Sequence, residues 1–237
     1  KIMEWAGLED DVPIEHGMVN KSIENAQTKV EAHNFDIRKH VVDYDDVMSV
    51  QRAKIYDERR KILEGADLKA NVEEMVAGEI EALVNQYCNG RDSEEWDTES
   101  FWAEVCAMFP EPPADLDPDK LRLMSRDEIE QTLQDYADDQ YDLREEQYGP
   151  DAMRFIERMV LLRAIDSLWV EHLTAMENMR QGIGLRAYAQ TDPLVAYKQE
   201  AYKMYDELTN AIEQSVARTI FRVQLVTQQQ QPPPQQH

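Results

Sequence analysis

Residues 21–64 contain neither glycine nor proline, and this stretch limits the possible folds more than any other feature. At 1.5 Å per residue, a continuous helix here would span about 65 Å. Apolar and aromatic side chains recur every seven residues in two offset rows, as in a helix that packs lengthwise on others. We predict one long helix over residues 21–64, ended by Gly65. The rows are Ile23, Val30, Ile37 and Tyr44, and Val41, Met48, Ile55 and Ile62.

Two kinds of partner could cover these apolar rows. One is a second copy of the chain in a coiled coil. The other is a set of helices from the same chain. Polar side chains at His33, Asn34, His40 and Gln51 interrupt the pattern, which favours packing within the chain.

Residues 149–226 have the pattern of two helices joined by a short loop. Gly149, Pro150 and Asp151 form a helix start, and no further glycine or proline occurs up to Gln181. Asp192 and Pro193 form the next start, as N-cap and first helical residue. We predict an antiparallel helix pair. Two rows form the apolar face of the first helix: Phe155, Leu162, Trp169 and Met176, and Arg158, Ile165, His172 and Met179.

The predicted loop, residues 182–191, has an unusual composition. Gly182 and Gly184 would let the backbone reverse direction. Ile183, Leu185 and Tyr188 are apolar or aromatic where a solvated turn is normally polar. For Tyr188, contact with a partner and simple surface placement are equally consistent with the sequence.

Residues 66–148 predict a small, strongly acidic helical module. The spacing predicts one helix over residues 68–87, a second capped by Ser93, and a third that begins with a capping box of Ser125 and Glu128. The module carries 24 acidic and 6 basic residues, which is most of the net charge of −23. Such a charge repels phosphates and argues against nucleic acid as a partner.

The ends of the chain differ from its middle. Residues 1–20 have the pattern of the end of a preceding domain, and residues 227–237 that of a Gln/Pro-rich linker. Two widely spaced cysteines, Cys88 and Cys106, indicate a reducing compartment. With no apolar run of membrane-spanning length, the sequence predicts a cytoplasmic piece of a longer chain.

Motifs of enzyme chemistry are missing from the sequence. It has no phosphate-binding loop, dinucleotide fingerprint, zinc-protease helix or nucleophile elbow, so we predict no enzyme activity, cofactor or metal for this segment. A metal-dependent enzyme using His33, His40 or His172 is a third hypothesis. His172 lies on the apolar row, where a packing histidine is the usual role.

Two long stretches resemble the SecA family of ATPases, the motors of bacterial preprotein export. Residues 23–60, IENAQTKVEAHNFDIRKHVVDYDDVMSVQRAKIYDERR, resemble its long scaffold helix. Residues 161–208, LLRAIDSLWVEHLTAMENMRQGIGLRAYAQTDPLVAYKQEAYKMYDEL, resemble its two-helix finger. The resemblance implies an all-α fold in which residues 21–65 and 149–226 form the helical scaffold domain and residues 66–148 the helical wing domain.

The resemblance also implies a function. The parent motor would couple ATP hydrolysis, with magnesium, to movement of unfolded preproteins through the SecYEG channel at the inner face of the membrane. Tyr188 matches the tip aromatic that contacts the polypeptide, with Ile183, Leu185 and Arg186 beside it. The long helix would bridge the motor and preprotein crosslinking domains. A purely structural scaffold that assembles through its coiled-coil rows is the alternative.

Overall fold

The computed structural model of the chain describes residues 17–65, 67–90, 92–186 and 192–224, and every regular element in those ranges is helical. The predicted all-α fold is confirmed. The helices are α1 (Gly17–Glu64), α2 (Leu68–Tyr87), α3 (Thr98–Met108), α4 (Pro118–Leu121), α5 (Arg126–Tyr148), α6 (Pro150–Arg186) and α7 (Pro193–Ile220), with one 3-10 turn at Ser93–Glu95.

The chain divides into two compact units, residues 1–51 and residues 52–237. The described part of the first unit is helical throughout and belongs to α1, which begins at Gly17 and not at residue 21. The side chains of Ile23, Val30 and Ile37 are exposed there. The prediction that these side chains pack on helices of the same chain stays a prediction for this part, because α1 is the one element described in the unit.

The second unit contains the last three turns of α1, and here the predicted packing is confirmed. Ile55 and Ile62 are buried, and Arg59 Nε donates a hydrogen bond to Asp166 Oδ1 of α6 at 2.9 Å. Gly65 follows with φ of 91°, the left-handed conformation that ends a helix at little cost only for glycine.

Side-chain caps fix where the shorter helices begin. Asp67 caps α2, and Ser125 with Glu128 forms the predicted capping box of α5. The prediction for Ser93 is wrong. Ser93 starts the 3-10 turn, and Asp97 caps α3 by accepting a hydrogen bond from the Ser100 N–H at 3.1 Å. Both residues are good caps, and the local sequence does not choose between them.

Helix α2 lies at the centre of the second unit and packs against α3, α5, α6 and α7. The acidic α5 buries one face of four side chains and turns most of its carboxylates outward. Each large apolar side chain buried this way contributes about 1.5–3 kcal/mol. The buried face of α5 consists of Ile129, Leu133, Ala137 and Tyr141. Residues 66–148 and 149–226 thus share one unit, and the boundary between them stays a prediction.

Candidate functional site

Helices α6 and α7 pack side by side and antiparallel, as predicted. His172 of α6 meets Tyr205 of α7 with ring centroids 6.4 Å apart. Eleven residues earlier on α6, Leu161 lines a groove together with Ile212, which lies later on α7. Residues earlier in α6 therefore lie beside residues later in α7, which is the arrangement of an antiparallel pair. We call this antiparallel pair, α6 and α7, the finger.

The core of the finger contains the predicted Trp169 and His172, which stack at 5.5 Å. Burial lowers the pKa of His172, which fits a packing histidine. Phe155, the first member of the predicted row, is exposed, and Met153 and Ile156 are buried in its place. A row at intervals of seven drifts by about 20° per step on a helix of 3.6 residues per turn, so it does not follow the core along all of α6.

The tip of the finger lies between the end of α6 at Arg186 and the start of α7 at Pro193. Helix α6 includes Gly182 and Gly184 and ends at Arg186, so the loop does not begin at Gly182 as predicted. Asp192 caps α7 by accepting a hydrogen bond from the Leu194 N–H at 2.8 Å. Tyr188 lies outside the described residues, as do the side chains of Leu185 and Arg186.

Ile183 is the one predicted contact residue whose side chain is described. It is only 4 % exposed. This side chain is therefore covered by the chain itself, and contact between Ile183 and another polypeptide stays a prediction.

The base of the finger holds a charged cluster that the sequence did not reveal. Arg154 Nη2 of α6 donates to Glu157 Oε1 at 2.7 Å and to Glu145 Oε1 at 2.9 Å. The Tyr141 hydroxyl also donates to Glu157 Oε1. Lys69 of α2 donates to Glu145 Oε2 at 2.9 Å, which links three helices. The one sequence signal at Glu157 is its position among apolar neighbours on α6, and this position does not show that the carboxyl is buried.

Glu157 is the most deeply buried carboxyl of this cluster, with 0 % of its surface exposed. Burial is the largest cause that raises its pKa, to about 7. Lys69 opposes this effect, while Glu73 and Asp67 add to it. Near neutral pH the carboxyl is therefore partly protonated, unlike an ordinary solvated glutamate.

A second charged link joins α7 to the shorter helices. Arg218 Nε donates to Glu79 Oε1 of α2 at 2.9 Å, and its Nη1 atom lies 2.8 Å from Glu104 Oε2 of α3. Gln214 adds a hydrogen bond to Glu79 at 3.2 Å. The base of the finger is thus tied to the rest of the unit on both of its helices.

Known proteins match the sequence of this chain over most of its length. The SecA Wing and Scaffold domain family matches residues 13–224. The chain belongs to the SecA family. Among its relatives, the SecA protein translocase subunit of Pelotomaculum thermopropionicum is 48% identical over 231 residues, or 97% of this chain and 26% of the relative.

Two further SecA translocase subunits give the same result. That of Dehalococcoides mccartyi strain 195 is 45% identical over 97% of this chain and 24% of its own length. That of Heliobacterium modesticaldum is 42% identical over 96% of this chain and 27% of its own length. The chain spans about a quarter of the length of these SecA relatives.

Two further features of the described residues concern membranes and metal ions. In the described ranges, no helix combines the length and the apolar character needed to cross a membrane. Within the same residues, no three His, Cys, Asp or Glu side chains come together in a way that could hold a metal ion. His33 is exposed, and the side chain of His40 is not among those described.

Proposed function

We propose that this chain is the helical scaffold and wing part of a SecA motor, which couples ATP hydrolysis to the movement of preproteins through the SecYEG channel. In this proposal the tip of the finger engages the moving polypeptide. The observation that carries the proposal is the long antiparallel packing of α6 on α7 in a chain that the SecA family matches from residue 13 to residue 224.

The construction of the finger suits a part that transmits displacement. Bending either helix would break backbone hydrogen bonds and the packing of α6 on α7 together. The ionic links of Arg154 and Arg218 hold its base to α2, α3 and α5. A displacement at the base would therefore reach the tip, where Tyr188 offers aromatic area and one hydroxyl without requiring a particular sequence.

Other parts of the longer protein would supply the remaining functions. ATP and magnesium would bind in motor domains outside this chain, which itself would not hydrolyse ATP. The exposed apolar side chains of residues 17–51 would contact those motor domains and the preprotein crosslinking domain. The protein would be cytoplasmic and bind peripherally at the inner face of the membrane through SecYEG.

Site-specific crosslinking tests the contact at the tip. A photoreactive amino acid at position 188 of the full-length parent should crosslink to a preprotein arrested in the channel. The same amino acid at position 202 should not crosslink, because this position lies within α7 and not at the tip. Tyr202 is a matched control, since it is an exposed tyrosine, 74% accessible, of the same finger. Equal crosslinking at both positions, or none at position 188 during active export, would contradict the proposed contact.

One observation favours the alternative of a structural scaffold that assembles as a coiled coil, and sedimentation tests this alternative. Ile23, Val30 and Ile37 are exposed in a row that a second copy could cover. We expect the 237-residue chain to sediment as a monomer, because polar residues interrupt the row and a net charge of −23 repels a second copy. A tight dimer that persists on dilution would favour assembly over a role within one motor.

A further inference from the structure

A continuous groove runs over the surface of α2 and has two chemically different ends. The first end is a cavity of about 480 Å³ with an apolar lining from α1, α2, α6 and α7. The second is a cavity of about 470 Å³ between α2, α5 and α7. Asn71, Met75 and Glu213 line both cavities, so the two ends adjoin. The apolar lining consists of Ile55, Ile62, Met75, Leu161, Ile165 and Ile212.

The second end carries negative charge that no described residue neutralises through an ion pair. Glu74, Glu81 and Glu213 line it, and none of them forms an ion pair with another described residue. Burial is the first cause that raises the pKa of Glu213, and the nearby charges of Glu74 and Asp206 raise it further. A bound cation would relieve this repulsion between carboxylates.

The apolar end is closer to electrical balance. Asp57 and Glu58 line it, but Lys61 lies 3.1 Å from the first carboxylate and 2.7 Å from the second. Lys54 is held over the ring of Tyr205, 5.4 Å from its centroid. Apart from Glu213, which lines both ends, the apolar end therefore has paired charges and the acidic end has unpaired ones.

Gly78 lines the acidic end of the groove, in the interior of α2. A Cβ atom at this position would meet nothing within 4 Å, so the packing of this chain does not require glycine. Glycine weakens a helix interior, and it also allows the backbone of another molecule to approach closely. Asn71, Glu74 and Glu81 lie on the same face of α2, three to seven residues from Gly78.

We propose that this groove binds a basic amphipathic helix of a separate polypeptide. Apolar side chains of that helix would enter the apolar end, its Lys or Arg side chains would pair with Glu74, Glu81 and Glu213, and its backbone would cross over Gly78. A second copy of this chain fits poorly because of its net charge of −23, and nucleic acids and anionic lipid headgroups would be repelled as well. The proposal is independent of the tip of the finger.

Binding of a defined peptide to the 237-residue chain tests the proposal. The probe is a fluorescent helical peptide with leucines on one face and lysines on the other, followed by anisotropy. The matched control peptide has glutamate in place of every lysine. We expect only the lysine peptide to bind, and the combined substitution E74Q, E81Q and E213Q to weaken binding about tenfold, since three exposed ion pairs are lost. The same change in charge through D139N, E146Q and E171Q, away from the groove, should leave the affinity unchanged.

Two substitutions of Gly78 distinguish a blocked groove from an unfolded chain. G78A should raise the melting temperature and bind the peptide more tightly than G78L does, because alanine adds only one methyl group and favours the helix. G78L should keep the helical circular dichroism and lose binding. The proposal is overturned if the lysine peptide does not bind, if the two triple variants bind it equally, or if G78L binds as well as G78A. Sedimentation that shows a dimer lost in G78L would assign the groove to a second copy and also overturn it.

Discussion

Replacing Glu157 with glutamine should remove about 2 kcal/mol of the pH dependence of the chain's stability. Glu157 is fully buried, and its pKa is raised to about 7 in the folded chain. In the unfolded chain, Glu157 has the ordinary, lower pKa of a glutamate. Between that pKa and 7, the folded state therefore binds the proton more tightly than the unfolded state does. The contribution of Glu157 is therefore present at low pH and is lost as pH rises toward 8. From pH 5.5 to pH 8 the loss is about 2 kcal/mol.

Urea unfolding of wild type and E157Q at both pH values measures this effect. Other groups titrate in the same window; burial lowers the pKa of His172 and acts in the opposite sense, so that its contribution is lost as pH falls. Comparing the two chains cancels such contributions. Glu146 is an exposed glutamate on the neighbouring helix. The free energy of unfolding of E146Q should therefore depend on pH as that of the wild type does. The assignment is wrong if E157Q retains the full pH dependence.

The sequence predicted the helix boundaries best where one cap or one glycine decides them. Residues 68–87 form α2 as predicted, Ser125 and Glu128 form the capping box, and Asp192 caps α7. At Ser93 and Asp97 two good caps compete within five residues. Tertiary packing settles that choice, because the Asp97 N–H donates to the Tyr87 carbonyl oxygen at 3.2 Å.

The rows of apolar residues predicted packing only in part. Ile55 and Ile62 are buried while Ile23 and Val30 are exposed, although all four follow the same spacing. Periodicity shows that a helix has an apolar face, but it does not show whether this chain covers that face.

The charged cluster at the base of the finger could not be predicted from spacing. Lys69, Tyr141 and Glu157 lie far apart in the sequence and meet only because α2, α5 and α6 pack together. A carboxyl among apolar residues of α6 is equally consistent with an exposed side chain. Only the fold shows that Glu157 is buried and held by Arg154.

The proposed contact at the tip predicts the second large effect. Tyr188→Ala in the full-length parent should lower the rate of preprotein export about tenfold or more, because aromatic contacts of this kind are worth about 2 kcal/mol when they dominate an interface. Basal ATP hydrolysis should stay within about twofold, since the substitution removes a contact with the polypeptide and leaves the binding of nucleotide intact. Tyr188→Phe should retain most of the export, because it keeps the ring.

Export by Tyr188→Ala against Tyr202→Ala, in the same parent and with the same preprotein, is the most direct test that the finger acts on the polypeptide through its tip. Both variants lose one tyrosine from the finger, and Tyr202 is exposed on α7. We predict slow export with normal basal ATP hydrolysis for the first variant and normal export for the second. Equal export rates for the two variants would contradict the proposed function of the finger.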